Sequence, residues 1–209
     1  MNQAPLLRSF DPLKTPKPAI AQGLDAGLVR VYPRLEIEIG CGVGLHPIKR
    51  AALSQESLYV AIEHTRERYG KFERRLENLR AKDPGAIPNL IPIHANAISW
   101  ISHHIEPASV DHYWIMYPNP YPKKKHLNQR WYAMPFTSHL VTTLKPGGRL
   151  TLVTNMKYYA DEAEVAFTQQ YGLKLEERKE LTLGFDPRTH FEKKYLERGE
   201  VCFELSWSN

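Results

Sequence analysis

The sequence predicts an α/β fold with a mostly parallel β-sheet and an antiparallel hairpin at its C-terminal edge. Short apolar runs of strand length alternate with longer segments of helical periodicity along most of the chain. A glycine-rich turn follows the first of these runs, as expected where a strand leads into a helix. The last two strand-like runs have no helical pattern between them, which favours antiparallel pairing.

The expected elements follow this alternation. Residues 1–34 contain five prolines and are expected to form an irregular N-terminal arm, followed by one domain over residues 35–209. Strands are expected at 35–39, 58–62, 89–94, 110–116, 149–154, 173–181 and 200–207. Helices are expected at 45–53, 66–82, from 97, at 129–144 and at 158–171. We interpret the many basic residues of the helix over 66–82 as a solvated face opposite its apolar stripe.

The composition narrows the class of protein. The chain has 209 residues, 28 Lys and Arg against 23 Asp and Glu, and a formal net charge of +5. Such an excess of positive charge is typical of proteins with a polyanionic partner. Cys41 and Cys202 have no neighbour at metal-motif or redox-motif spacing, so we expect reduced cysteines and no bound metal. Since no window has the roughly 18 apolar residues of a membrane span, we expect a cytoplasmic protein without membrane contact.

A glycine motif after the first strand predicts a cofactor site. Gly40, Gly42 and Gly44 form a G-x-G-x-G turn, which lets the backbone bend sharply and approach a ligand. Glu63 ends the second strand, where a carboxylate can accept hydrogen bonds from both hydroxyls of a ribose. The spacing differs from the G-x-G-x-x-G of dinucleotide sites, so it favours a nucleoside cofactor without phosphates.

Glu38 is a second candidate for this site. It lies at the carboxyl end of a strand expected to be central, where an unpaired carboxylate is costly. Ligands of open α/β sheets bind at such strand ends. The alternative interpretation is a half-exposed strand whose Glu36 and Glu38 face water.

A proline-bounded basic motif follows the fourth strand, with the sequence YPNPYPKKKHLNQR over residues 117–130. The prolines restrict its backbone, and Asn119 is expected beside the reacting end of the cofactor. The basic side chains attract phosphates. We therefore expect nucleic-acid contacts from Lys124, Lys125, His126 and Arg130.

From about Leu35 to Trp207 the chain resembles the bacterial tRNA (guanine-N7)-methyltransferase family. Five motifs carry the resemblance in order: Glu38-Ile39-Gly40, Glu63, residues 117–126, Thr154-Asn155 and Thr189-His190-Phe191-Glu192. The resemblance implies a Rossmann-like class I methyltransferase sheet, with S-adenosyl-L-methionine as cofactor and tRNA or another structured RNA as partner. It implies a monomer or a homodimer that methylates N7 of guanine.

The resemblance also implies roles for individual residues. Asn119 takes the catalytic position. The cofactor positions are those of Glu38, Gly40, Gly42, Gly44, Glu63, Asn96 and Asn119. The guanosine positions are those of Lys123, Asn155, Thr189, His190, Phe191 and Glu192.

Three positions depart from the family pattern, which has aspartate where this chain has Asn96, Asn119 and Asn155. Asparagine keeps one acceptor oxygen but removes the negative charge. This leaves two alternatives open. One is an amino-group methyltransferase, suggested by Asn119-Pro120-Tyr121, and the other is a catalytically impaired paralogue that still binds cofactor and RNA.

Overall fold

A seven-stranded β-sheet forms the centre of the computed structural model, which describes residues 9–18, 23–24 and 26–209. The strands are β1 Arg34–Ile39, β2 Ser57–Glu63, β3 Leu90–His94, β4 Val110–Met116, β5 Leu144–Thr154, β6 Lys174–Leu181 and β7 Cys202–Ser208. The α-helices are α1 Ala26–Val31, α2 Leu45–Leu53, α3 Arg66–Lys82, α4 Ala97–His104, α5 Phe136–Thr143, α6 Lys157–Val165 and α7 His190–Glu197. Shorter turns are the 3₁₀-helices Pro12–Lys14 and Lys124–Gln129 and the π-helical turn Ala166–Gln170.

The strand order is β3-β2-β1-β4-β5-β7-β6. Strands β1 to β5 pair in parallel, while β7 pairs antiparallel with both β5 and β6. This confirms the predicted α/β class, the mostly parallel sheet and the antiparallel C-terminal pair. The connection between the last two strands differs from the expectation, because it contains α7 and because β7 inserts between β5 and β6.

One predicted helix is wrong in extent. The helix expected over 129–144 begins only at Phe136, after a 3₁₀-helix that ends at Gln129 and a series of turns. Pro135 occupies the N-cap position of α5. A proline inside a helix lacks the backbone N–H and clashes with the preceding turn, so the helix starts after it.

The described part of the N-terminal arm packs on the domain. The ring of Phe10 meets the ring of Phe136 edge-on, with centroids 5.3 Å apart. Nε2 of His103 lies 2.9 Å from the carbonyl oxygen of Thr15. The arm is more regular than expected, because it contains the 3₁₀-helix Pro12–Lys14 and all of α1. Arm residues 1–8, 19–22 and 25 lie outside the described ranges.

The central strand β1 is buried on both faces, so its alternating side chains enter two different cores. Leu35, Ile37 and Ile39 join the large apolar cluster that also contains side chains of α4, α5 and α6. Glu36 points to the other face and is fully buried. The guanidinium of Arg50 donates two hydrogen bonds of 3.0 Å to its carboxylate. The charge of this central strand is therefore paired, as burial requires.

Helix α3 packs on the same face as Glu36. Phe72 and Leu76 of its predicted apolar stripe are buried against β2 and β3. The basic face is not wholly solvated, because Arg75 donates to the carbonyl oxygen of Val43 at 2.7 Å. Arg80 likewise donates to the backbone carbonyls of Ile87, in the turn before β3, and of Leu90, the first residue of β3.

Among the described residues, no helix combines the length and the apolar character needed to cross a bilayer. The same residues contain no cluster of three or more His, Cys, Asp or Glu side chains arranged to hold a metal ion. Both cysteines are buried free thiols.

Candidate functional site

Two adjoining cavities open at the carboxyl edge of the sheet. The large cavity, of about 650 Å³, is lined by Gly40, Glu63, Asn96 and Asn119 among others. The small cavity, of about 430 Å³, is lined by Glu38, Gly40, Gly42, Thr189, His190 and Phe191 among others. The two share Gly40, Arg68, Met116 and Tyr117. Most of the predicted cofactor residues are therefore brought to one composite site.

The glycine loop is fastened to the end of β2. Gly40 and Gly42 have positive φ angles of 74° and 61°, a conformation in which glycine is favoured. The amide of Gly40 donates to the carbonyl oxygen of Ile62 at 2.8 Å. The amide of Gly42 donates to Oε2 of Glu63 at 2.8 Å. These bonds hold the loop open beside both cavities.

Gly44 serves the loop in a different way and lines neither cavity. It also has a positive φ angle, of 77°. A Cβ atom at this position would lie 1.9 Å from the ring of Phe72 in α3, far inside contact distance. Gly44 was predicted to contact the cofactor, whereas its role in the structure is steric, because the absent side chain allows α3 to close against the loop.

Glu63 is held in place by the backbone around it. Its Oε1 accepts a hydrogen bond of 2.7 Å from the amide of Thr65, and its Oε2 accepts the bond from Gly42. A carboxylate has about four acceptor positions, so each oxygen keeps capacity for one more donor. This geometry suits a ligand with two adjacent hydroxyl groups.

Glu38 is 1% exposed, so the interpretation in which it faces water is wrong. His46 Nδ1 lies 2.8 Å from its Oε2, and the hydroxyl of Tyr59 donates to the same oxygen at 2.9 Å. Burial and the neighbouring Glu38 carboxylate raise the pKa of Tyr59 well above its ordinary value. The tyrosine therefore stays protonated as a donor, and Oε1 of Glu38 is left for a ligand.

Asn96 and Asn119 both use their side-chain oxygens in local turns. Oδ1 of Asn96 accepts from the amide of Ile98 at 2.9 Å and so caps α4. Oδ1 of Asn119 accepts from the amide of Tyr121 at 3.2 Å. For a ligand in the large cavity each side chain keeps its amide nitrogen as a donor, and Asn119 also keeps the second lone pair of Oδ1.

The loop that carries Asn119 is strained. Tyr117 and Tyr121 have positive φ angles of 51° and 43°, which are uncommon for residues with side chains. Such conformations persist only where the surroundings enforce them, and they cluster at functional sites. The strain on both sides of Asn119 therefore supports its assignment to the site.

Arg130 was expected to contact RNA, and the structure contradicts this. Its side chain is buried, with only 5% of the residue exposed. The guanidinium donates two hydrogen bonds to the carbonyl oxygen of Tyr121, at 2.9 and 3.1 Å, and one of 2.6 Å to Glu162. Arg130 therefore supports the Asn119 loop from inside. The exposed basic residues of this segment are Lys123, Lys124 and Lys125, while His126 is half-buried against the ring of Tyr121.

Glu192 also lies inside the protein. It has no exposed surface, and it accepts hydrogen bonds from the hydroxyl of Tyr117 at 2.9 Å and from Nη2 of Arg188 at 2.7 Å. Although burial disfavours the charge of Arg188, the carboxylates of Glu192 and Glu204 raise its pKa. The Glu192 carboxylate therefore contacts Tyr117 and does not line either cavity.

The remaining predicted guanosine residues divide into two groups. Thr189 caps α7 by accepting from the amide of Glu192 at 3.0 Å, and His190 and Phe191 begin that helix at the wall of the small cavity. Asn155 lies outside the lining of both cavities. Its amide donates to Glu200 at 2.9 Å.

Sequence reasoning missed several lining residues. Arg68 and Tyr117 border both cavities, and the large cavity has apolar walls from Phe10, Trp131 and Phe136. Tyr117 and Arg68 lie beside predicted motifs, so their position was a usable signal. Phe10 lies in the arm, where no pattern pointed to the site.

Comparison with known proteins gives evidence on the family that is independent of the site geometry. The Methyltransf_4 family model, described as a putative methyltransferase, matches residues 34–205. A tRNA (guanine-N(7)-)-methyltransferase of Alkalilimnicola ehrlichii is 30% identical over 188 residues, which cover 87% of this chain and 75% of the relative. Its counterpart from Nitrosococcus oceani is 29% identical over 170 residues, covering 81% and 69%.

Solved structures agree in fold. An antibiotic-related methyltransferase superposes with a TM-score of 0.68 at 18% identity, covering 90% of this chain and 97% of the other. The 16S rRNA methyltransferase KamB superposes with a TM-score of 0.63 at 19% identity, covering 90% and 94%. At these identities the likeness concerns the fold.

Proposed function

As a member of the tRNA (guanine-N(7)-)-methyltransferase family, the chain is an S-adenosyl-L-methionine-dependent methyltransferase, and we propose that it methylates N7 of a guanine in tRNA. One observation carries the proposal. Glu63 and Glu38 border adjoining cavities that meet at Gly40, and Asn119 lies in the wall of the larger one.

The residues present fit the cofactor. The large cavity combines apolar walls with the Glu63 carboxylate, which suits an adenine ring and a ribose diol. The small cavity carries charges of both signs, Glu38 and Glu67 against Arg68 and Lys71, which suits the ammonium and carboxylate groups of an amino acid. When bound, S-adenosyl-L-methionine supplies an electrophilic methyl group.

Methyl transfer to N7 of guanine requires no proton transfer by the protein. N7 of guanine already exposes a lone pair, so no general base is required. What the chain must supply is alignment of the guanine and a partner for the positive charge that develops on its ring. In this proposal Asn119 contacts the reacting base, and Phe191, which is 43% exposed, stacks on it.

Other predicted residues act around the base. Thr189 and His190 line the small cavity beside Phe191, and Lys123 approaches the nucleotide phosphate from the loop. Glu192 and Asn155 contribute through their neighbours, Glu192 by holding Tyr117 and Asn155 by holding Glu200. Exposed Lys124 and Lys125, with His126, contact the RNA.

The amino-group alternative is less well supported. It requires Oδ1 of Asn119 to accept a hydrogen bond from an exocyclic amine. That oxygen already accepts from the amide of Tyr121, so only one of its two lone pairs is left for an amine. Transfer to N7 has no such requirement, because the acceptor atom of the base needs no deprotonation.

The proposal is tested with undermethylated tRNA and isotopically labelled S-adenosyl-L-methionine. After nuclease digestion, mass spectrometry is expected to show labelled 7-methylguanosine. A labelled N-methylated amino group would support the alternative, and no labelled nucleoside at high enzyme concentration would contradict both. In this proposal the protein acts in the cytoplasm. It is a monomer or a homodimer, and sedimentation velocity distinguishes these two states.

The role of Asn119 is tested by two variants. Asn119→Ala is expected to lower kcat on the order of a hundredfold, the usual cost of losing one aimed polar group. Asn119→Asp keeps the shape and adds charge, so it is expected to retain turnover. Equal turnover in the alanine variant and the wild type would contradict the catalytic assignment.

A further inference from the structure

Helix α3 presents a stripe of polar and basic side chains along one face. The stripe consists of Arg68, Lys71, Arg75, Asn78 and Lys82. Their spacing of three and four residues keeps them on the same side of a helix. At 1.5 Å per residue the stripe is about 21 Å long.

The stripe forms one wall of a groove. This basic groove, of about 660 Å³, is lined by Lys71, Arg74, Arg75, Asn78, Lys82 and His190 together with two apolar side chains. No carboxylate belongs to its lining among the described residues. A concave surface of one charge sign concentrates the field and attracts ions of the opposite sign.

Much of this charge is not neutralised. Lys71 pairs with Glu67 at 2.6 Å, and Arg75 donates to the carbonyl oxygen of Val43. Arg74 and Lys82 form no ion pair or hydrogen bond with the residues that the structure describes. Since both are exposed, their charges are available to a ligand.

The basic groove is continuous with the candidate site. Val43, Lys71 and His190 line both the groove and the small cavity. A chain of phosphates in the groove would therefore lead to the place where the base reacts. A stripe of about 21 Å is long enough to contact several successive phosphates of one strand.

We propose that the basic groove between α3 and α7 binds the sugar–phosphate backbone of the RNA substrate. The proposal rests on the proposed function for the identity of the ligand and adds a second contact surface, separate from Lys123–Lys125. Those lysines follow the loop beside the large cavity, whereas the groove adjoins the small one. The substrate is thereby held from both ends of the composite site.

The test compares two double variants that remove the same charge. Arg74→Gln/Lys82→Gln empties the groove of its two unpaired cations. Arg149→Gln/Lys174→Gln is the matched control, because both residues are exposed and both lie level with Ser208, at the end of β5 remote from the site. Affinity for unmodified tRNA is measured by fluorescence anisotropy between 50 and about 300 mM salt, the range in which phosphate contacts dominate.

We expect the groove variant to bind tRNA at least about fivefold more weakly, with the slope of log K against log salt reduced by about 1.5. The control is expected to stay within about twofold of the wild type. Calorimetric affinity for S-adenosyl-L-methionine is expected to be unchanged in both variants, which shows that the fold and the cofactor site are intact.

The outcomes separate the two proposals. Equal affinity and equal salt slope in the groove variant and the control would overturn the groove while leaving the methyltransferase function standing. If the wild type forms no 7-methylguanosine, and the groove variant but not the control loses RNA affinity, the proposed function is overturned and the groove proposal stands. A wild type without RNA affinity would overturn both.

Discussion

The hydroxyl of Tyr117 donates a hydrogen bond of 2.9 Å to Oε1 of Glu192, a carboxylate with no exposed surface. Tyr117 follows β4 and lines both cavities, while Glu192 belongs to the first turn of α7, whose residues His190 and Phe191 line the small cavity. One hydrogen bond therefore joins two walls of the candidate site.

Replacing this tyrosine tests the bond directly. In Tyr117→Phe we expect the free energy of unfolding to fall by about 1–3 kcal/mol, because a buried carboxylate loses one of its donors. Urea denaturation measures the change. The control is Tyr195→Phe, whose ring lies 5.6 Å from that of Tyr117. It is expected to cost less than about 0.5 kcal/mol, and equal losses in the two variants would contradict the role of the bond.

Glu63→Gln tests the cofactor site. The glutamine side chain must turn its NH₂ group toward one of the two backbone amides that now donate to Glu63. One hydrogen bond is therefore lost, together with the carboxylate charge. We expect the affinity for S-adenosyl-L-methionine to fall about tenfold or more, as for a hydrogen bond to a charged group. Calorimetry measures it, with Glu56→Gln on an exposed turn as the control. Unchanged affinity would exclude Glu63 from the site.

Arg130→Met tests the support of the Asn119 loop. The loop loses both donors to the carbonyl oxygen of Tyr121, so we expect kcat to fall at least tenfold while tRNA affinity changes little. Limited proteolysis is expected to cut the chain between residues 117 and 130 faster than in the wild type. Lys124→Met, on the exposed surface, is expected to show the reverse: weaker tRNA binding and normal kcat. Matching behaviour of the two variants would restore Arg130 as an RNA contact.

The pH dependence of stability tests the burial of His112. Burial lowers the pKa of His112 from 6.5 to about 3. Between these values the unfolded chain binds the proton and the folded protein does not, so stability is full above pH 6.5 and is lost as the pH falls.

The measurement is urea denaturation at pH 7 and pH 5. We expect His112→Gln to lose about 2 kcal/mol less than the wild type between these two pH values, because the proton-binding difference of that residue is gone. His64→Gln, at an exposed position, is expected to follow the wild type. A wild-type loss equal to that of His112→Gln would show that His112 does not control acid stability.

The N-terminal half of the sheet was predictable because its signals are local. The helices at 45–53 and 66–82 match their predicted bounds, since an apolar stripe at helical spacing marks α3 and glycines mark the turn before α2. Glu63 was predictable for the same reason: it ends a buried strand at a fixed distance from the glycine loop.

The burial and the partners of the charged residues Arg130 and Glu192 were not predictable from local signals. Arg130 follows three lysines and reads as one more basic residue, and only its contacts with Tyr121 and Glu162 turn it inward. Glu192 likewise meets a partner distant in sequence, because the hydroxyl of Tyr117, 75 residues away, donates to its buried carboxylate. Pairing at such distances is decided by tertiary packing, which a local pattern does not contain.

The missing side chain at Gly44 has a mechanical consequence. Since Phe72 occupies the space where a Cβ would be, α3, which bears the basic stripe, lies directly against the glycine loop, which in our proposal holds the methyl donor. Even a single methyl group at Gly44 would wedge the two apart. Binding of the nucleic acid and binding of the small molecule would then weaken together, because both surfaces belong to one rigid unit.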